Sequence, residues 1–200
     1  MYKYLFITLL FLSLRADAQG LANAFDVASY KHTITYQDYK AVFQLQQTDF
    51  YSNKPETDKN YYWYSNNQIK ITQGGHSGRL LNGNYKAYYL DNNLKEQGIF
   101  ENGLKNGEWL KWTPQGKIYE KAYFKEGVLH GPFYKYNALG NIQESGNYRN
   151  GKIKGVWKSF LKPDSILLTH YKNGVIYTPK VNLLKRILTK KQKPVEETKK

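Results

Sequence analysis

Residues 127–148, GVLHGPFYKYNALGNIQESGNY, decide how this chain is built, because the same phrase is repeated on either side of them. Glycines recur at Gly83, Gly107, Gly131 and Gly155, each 24 residues after the last. Aromatic residues keep the step in two rows, Tyr85, Trp109, Phe133 and Trp157, then Tyr88, Trp112, Tyr136 and Phe160. Leu94, Ile118, Ile142 and Ile166 hold it too. A fixed period with a fixed order of glycine and aromatic marks a small supersecondary unit stacked on copies of itself.

Within the phrase, Pro132 to Tyr136 and Ile142 to Tyr148 are β-rich pieces separated by the turn residues 137–140, and residues 149–151 form a second turn. Each unit therefore reads as a two-stranded hairpin joined by a tight turn to the next, with glycine supplying positive φ. The expected fold is all-β, an elongated antiparallel sheet of stacked hairpins. The repeat-turn glycines are Gly83, Gly103, Gly107, Gly127, Gly131, Gly151, Gly155 and Gly174. Gly174 arrives one residue early, so a deletion lies between Ile166 and Gly174.

Residues two apart on a strand share a face. The packed face then holds Ile142, Glu144, Gly146 and Tyr148, with Ile118, Glu120, Ala122 and Phe124 before them, and Leu94, Glu96, Gly98 and Phe100 before those. Small residues at 98, 122 and 146 would let an aromatic from a neighbouring strand lie across the backbone. Glu96, Glu120 and Glu144 stand on strands separated by another strand, about 10 Å apart at the usual spacing. That favours cross-strand pairing with lysine or capping of turn amides over a catalytic carboxylate pair.

The pattern Glu-x-[Gly/Ala]-x-[Phe/Tyr]-x-x-Gly-x-x-x-Gly runs from Glu96 to Gly107, Glu120 to Gly131 and Glu144 to Gly155. It resembles the MORN repeat, in the bacterial variant found in antitoxin-like proteins of the YwqK type. The family's His-Gly stands only at His130-Gly131, and glutamate replaces the usual leading tyrosine. The resemblance covers about half of the chain and implies stacked β-hairpins with a scaffold or binding role.

Composition narrows the classes further. The apolar fraction is 40%, nineteen tyrosines supply much of it, and tyrosine suits half-wet sheet surfaces. With no cysteine, there is no disulfide framework, thiolate metal site, cysteine nucleophile or lipoprotein anchor. The net charge of +14 attracts anionic partners, and lysines also discourage edge-to-edge pairing of sheets.

Residues 1–18 read as a signal peptide: Lys3 gives a positive start, Leu5 to Leu14 an apolar stretch, and Ala16-Asp17-Ala18 a cleavage pattern before Gln19. Export would place the chain in the periplasm or at the cell envelope and argues against nucleic acid as a partner. Residues 19–60 are an N-terminal region that could be a β-cap, a short helix or a linker, with Tyr39 to Gln47 reading as a strand. Tyr61 to Tyr64 and Gln68 to Thr72 form a hairpin around residues 65–67, expected to be a worn first copy of the repeat domain, 61–179. Residues 180–200 carry eight Lys/Arg against Glu196 and Glu197; Val181, Leu184, Ile187 and Leu188 could line one side of a short helix, or the tail could be solvated.

His32, His76, His130 and His170 are scattered, without metal-ligand spacing, and no nucleophile or phosphate-loop motif is present. The expectation is a non-enzymatic protein without cofactor, catalytic residue or metal. It would be a scaffold or protein-binding module, alternatively an antitoxin or immunity protein acting on an envelope toxin, and less readily a binder or hydrolase of envelope polysaccharide. Partners, in order, are another protein, an envelope glycan and an acidic membrane surface. Because the two aromatic rows are three residues apart, they fall on opposite faces, and whichever is exposed is the candidate binding strip.

Overall fold

The computed structural model describes residues 31–47, 54–162 and 165–179. They are all-β, and the strands form one open antiparallel sheet. In chain order these are β1 (Lys31–Thr35), β2 (Tyr39–Leu45), β3 (Asn60–Ser65), β4 (Gln68–Gln73), β5 (Arg79–Tyr89), β6 (Leu94–Glu101) and β7 (Leu104–Trp112). They continue with β8 (Ile118–Lys125), β9 (Val128–Tyr136), β10 (Ile142–Arg149), β11 (Lys152–Ile153), β12 (Gly155–Lys162), β13 (Ser165–Lys172) and β14 (Val175–Ile176). Along the sheet the order is β1-β2-β5-β6-β7-β8-β9-β10-β12-β13-β14, with β11 pairing β10 and the hairpin β3–β4 branching from β5. The segments expected as signal peptide, 1–18, and basic tail, 180–200, lie outside the described residues.

Sequence explains the turns. Asn102-Gly103, Glu126-Gly127, Asn150-Gly151 and Asn173-Gly174 each hold two successive residues at φ between 49° and 82°. That is the signature of the two-residue turn whose twist matches the flanking strands. All eight glycines expected at turns have positive φ. Four of them are nevertheless not turn residues. Gly83, Gly107, Gly131 and Gly155 lie in β5, β7, β9 and at the start of β12. Gly107 shows why: its neighbours pair Asn106 with Ile99 and Leu110 with Gln97, so extra residues bulge out and the backbone must turn left-handed there.

The expected first copy does not stand in the row. β5 is flanked by β2, through Tyr39↔Tyr89 to Phe43↔Tyr85, while β3 touches β5 only at Trp63↔Leu80 and Tyr64↔Arg79. The reason lies in the side chains. Tyr61 and Trp63 point one way and Tyr62 and Tyr64 the other, so the hairpin is aromatic on both faces and needs burial on both. β2, with Ala41, Phe43 and Leu45 buried on one side only, suits a single-layer row. Among the described residues the sheet thus starts with β1, within the segment expected as cap or linker, and β3–β4 folds over one face of its first part.

Leu94, Ile118 and Ile142 also change sides relative to simple alternation. They pair with Tyr88, Trp112 and Tyr136, while Glu96, Glu120 and Glu144 pair with Ala87, Lys111 and Lys135. One residue (Lys95, Tyr119 or Gln143) is therefore extra in each copy, a β-bulge that moves the aliphatic residue to the outer face. Ile118 and Ile142 are both 38% exposed. In the last copy Phe160↔Ile166 is followed directly by Ser159↔Leu167. The residue missing before Gly174 is the bulge residue.

Candidate binding face

On the inner face, the register aligns large and small residues alternately across the sheet. Tyr85 faces Gly98, Trp109 faces Ala122, Ala122 faces Phe133, and Phe133 faces Gly146. A Cβ on Gly98 would overlap the Trp109 indole, and one on Gly146 would overlap Trp157. The glycines are thus the floor on which the tryptophans lie.

Three inner aromatics make a cluster, and the cluster occurs twice. Tyr85, Phe100 and Trp109 have ring centroids 4.9 to 5.7 Å apart, with Phe100 edge-on to both others. Two copies later, Phe133, Tyr148 and Trp157 stand 5.5 to 5.8 Å apart with the same edge-on middle ring. Such offset and edge-to-face contacts suit the ring quadrupoles.

Their surroundings differ. Over the first cluster, the Tyr62 ring of β3 lies tilted at 4.8 Å from Phe100, and Tyr64 lies 5.7 Å from Phe43. The Tyr62 amide donates to Gly103 O at 2.8 Å, and the Ile69 amide donates to the Tyr36 hydroxyl at 3.0 Å, fixing the cover. The main core is therefore at this end, with Ile34, Phe43, Leu81, Phe100 and Trp109 among its members. Among the described residues, nothing from a second layer lies over Phe133, Tyr148 and Trp157.

Charges run beside the aromatics as a ladder. Glu96, Lys111, Glu120, Lys135 and Glu144 face one another in succession across five strands. Lys111 Nζ is 2.8 Å from Glu120, and Lys105 Nζ is 2.8 Å from Glu96. Glu96 and Glu120 are thus partnered by lysine, one of the two roles expected from spacing, while Glu144 faces Lys135 in the register. Lys105 is half-buried, with its ammonium 3.8 Å over the Trp109 ring. Burial lowers its pKa, and Glu96 opposes that shift. Burial also depresses Lys111, but its bond to Glu120 outweighs this and the net shift is upward.

The two predicted aromatic rows separate as their spacing requires. Tyr85, Trp109 and Trp157 are buried and Phe133 is half-buried, all inward. Tyr88, Trp112, Tyr136 and Phe160 are half-buried; Tyr88 faces Lys40 on the outer side, where the Lys40 ammonium lies 5.5 Å from its ring. The outer row meets Leu94, Ile118, Ile142 and Ile166 rather than forming a bare strip.

Sequence reasoning placed Tyr148 on the packed face but left it out of the candidate strip. The recurrence of Phe100, Phe124 and Tyr148 at the same 24-residue step was the available signal. Each histidine is engaged locally: His32 stacks near Phe43 and Tyr64, His76 meets Gly78 O, His130 meets Asn150, and His170 meets Tyr177. Among the described residues, no three His, Asp or Glu side chains are grouped to hold a metal ion. A scan against protein-family models finds no match to this chain, and neither does a search of curated proteins.

Proposed function

We propose that this chain is an exported, non-enzymatic protein-binding module of the periplasm or cell envelope, and that its partner packs on the inner face of β9 to β13. One observation carries the reading: the aromatic cluster that β3–β4 covers at the first end recurs at the second with no cover among the described residues. The covering hairpin is a model for the partner, an aromatic-bearing strand pair laid across a single-layer sheet. Half-buried Phe133 and Tyr148 around Trp157 provide the rigid aromatic anchors typical of interface centres. The MORN-like pattern and the signal-peptide pattern supply the scaffold role and the location. An antitoxin or immunity role would be one instance of such binding, with an envelope-acting toxin as partner. The polysaccharide-hydrolase reading loses its motive where Glu96 and Glu120 are bound by lysines.

The test is affinity capture from envelope extracts with the wild type and two double variants. Phe133→Ala/Tyr148→Ala should lose the proteins that the wild type retains, by about tenfold or more for a central anchor pair. Tyr88→Ala/Trp112→Ala, on the outer face, should keep them. Equal capture by all three proteins, each shown folded by circular dichroism, sinks the reading.

A further inference from the structure

We propose that the open edge of β13 takes an acidic, extended segment of a partner protein as an added strand. This rests on the protein-binding reading above and names the chemistry that the partner must bring.

The edge is available in hydrogen-bonding terms. The Tyr177 amide donates to His170 O at 2.9 Å on the side away from β12. Strand alternation turns the N–H and C=O of Ile166 and Leu168 to that same side. β14 pairs only with Tyr171 and Lys172, so among the described residues no strand meets Ile166 to Leu168 there. Sheet edges are ordinarily protected by bulges or charges. The stretch Ser165-Ile166-Leu167-Leu168 of β13 has neither: it lacks the bulge residue of the earlier repeat strands, the register shift here falling on β12 between Phe160 and Lys162, and the charge of β13, Lys172, stands at its other end. Leu167 occupies the ladder position held by glutamate in the three preceding copies. Ile166, Leu167 and Leu168 are each 52% exposed, and Val175 and Ile176, opposite Lys172 and Tyr171 farther along the strand, more so.

Charge selects the occupant. Residues 1–127 carry fifteen Lys/Arg and twelve Asp/Glu, close to balance. Residues 128–179 carry seven Lys/Arg against Glu144 and Asp164, and the segment 180–200 eight against two. Arg149, Lys152 and Lys154 line adjoining shallow depressions that reach Asn173, at the turn between β13 and β14. A second copy of the chain would bring two strongly cationic ends together. The segment 180–200 that follows the described residues carries apolar residues in its sequence, but it too is cationic. An acidic strand with apolar residues at alternate positions satisfies the backbone, the aliphatic surface and the field together.

The experiment titrates the full chain with fluorescent peptides of about ten residues, one alternating Glu and Val, the other Lys and Val. The acidic peptide should bind at least about tenfold tighter, with the margin shrinking toward roughly 0.5 M salt. Leu168→Pro should lose about tenfold in affinity while remaining folded, since proline is tolerated where an edge N–H faces outward. Ile166→Asp/Leu168→Asp keeps the backbone donors and should reverse the preference between the peptides. Equal binding of both peptides, or a Leu168→Pro variant that binds like wild type, overturns the inference. So does a wild-type dimer that Leu168→Pro dissociates, which would assign the edge to a second copy. A rise in acidic-peptide affinity on Leu184→Glu/Ile187→Glu would assign it to the C-terminal segment, with the same consequence. If these edge variants keep native-partner capture and Phe133→Ala/Tyr148→Ala loses it, the edge inference fails while the binding-face reading stands.

Discussion

Tyr85, Phe100 and Trp109 at one end of the sheet, and Phe133, Tyr148 and Trp157 at the other, occupy the same repeat positions. Their mutual geometry is nearly the same: the outer rings of each cluster lie 31° and 26° from parallel, and the middle ring is edge-on. What differs is the element above them, a hairpin at one end and, among the described residues, no second layer at the other. The repeat builds the face; an element outside the repeat decides whether that face becomes core. Trp109 is 2% exposed and Trp157 only 9%, so most of each tryptophan's burial comes from its floor glycine and flanking rings. The hairpin adds a lid, and the lid changes what happens when something beneath it is removed.

The largest contrast is expected from deleting the two indoles. Trp109→Ala would leave a hollow beside Phe100, which Tyr62 covers, and would strip the Lys105 ammonium of the ring beneath it. A sealed cavity cannot fill with solvent or collapse freely, so a loss of about 4 kcal/mol is expected. Trp157→Ala would leave an open groove between Phe133 and Tyr148, costing about 2 kcal/mol. Urea unfolding of both variants measures the difference. Equal losses would mean that β3–β4 contributes no more than the sheet's own side chains do.

A smaller contrast comes from the floor. Gly98→Ala drives a methyl group into an indole held on all sides, and overpacking of that kind costs about 2 to 3 kcal/mol. Gly146→Ala meets Trp157 in the same way, but that ring can lift toward open space, so about 1 kcal/mol is expected. Fluorescence should report the movement as a red shift of the indole emission in Gly146→Ala and little change in Gly98→Ala. A rigid Trp157 would show instead that its neighbours clamp it as firmly as the lid clamps Trp109.

Much of this was legible in the sequence, because a period of glycine and aromatic encodes a local unit whose geometry is repeated by identical residues. The hairpins, the separation of the two aromatic rows onto opposite faces, the floor positions at 98, 122 and 146, and lysine pairing of Glu96 and Glu120 follow from spacing and alternation; which row turns inward does not. The bulges did not. Lys95, Tyr119 and Gln143 share no residue type, so nothing marks them as extra, and two-residue counting put Leu94, Ile118 and Ile142 on the wrong face. The hairpin at β3–β4 was legible as a hairpin but not as a lid. Its strand composition suits either place, and only competition with β2 for the edge of β5 decides between them. The bare cluster was hidden for the same reason, since exposure depends on a long-range choice that the repeat does not contain.

The smallest expected effect tests the deletion that sets the last copy apart. Inserting one glutamine between Ile166 and Leu167 restores the spacing of the earlier copies, in which an extra residue separates the aliphatic position from the ladder position. Leu167, Thr169 and Tyr171 would keep their partners Ser159, Trp157 and Gly155, and the change falls at the edge. The cost to stability should therefore be under about 1 kcal/mol, in line with a bulge at a sheet edge. One residue inserted between Gly146 and Asn147 offers a control, because it has no precedent in the repeat and would turn Tyr148 out of its cluster. If the two insertions destabilise equally in urea unfolding, the missing residue is not the bulge, and the straight edge of β13 has another cause.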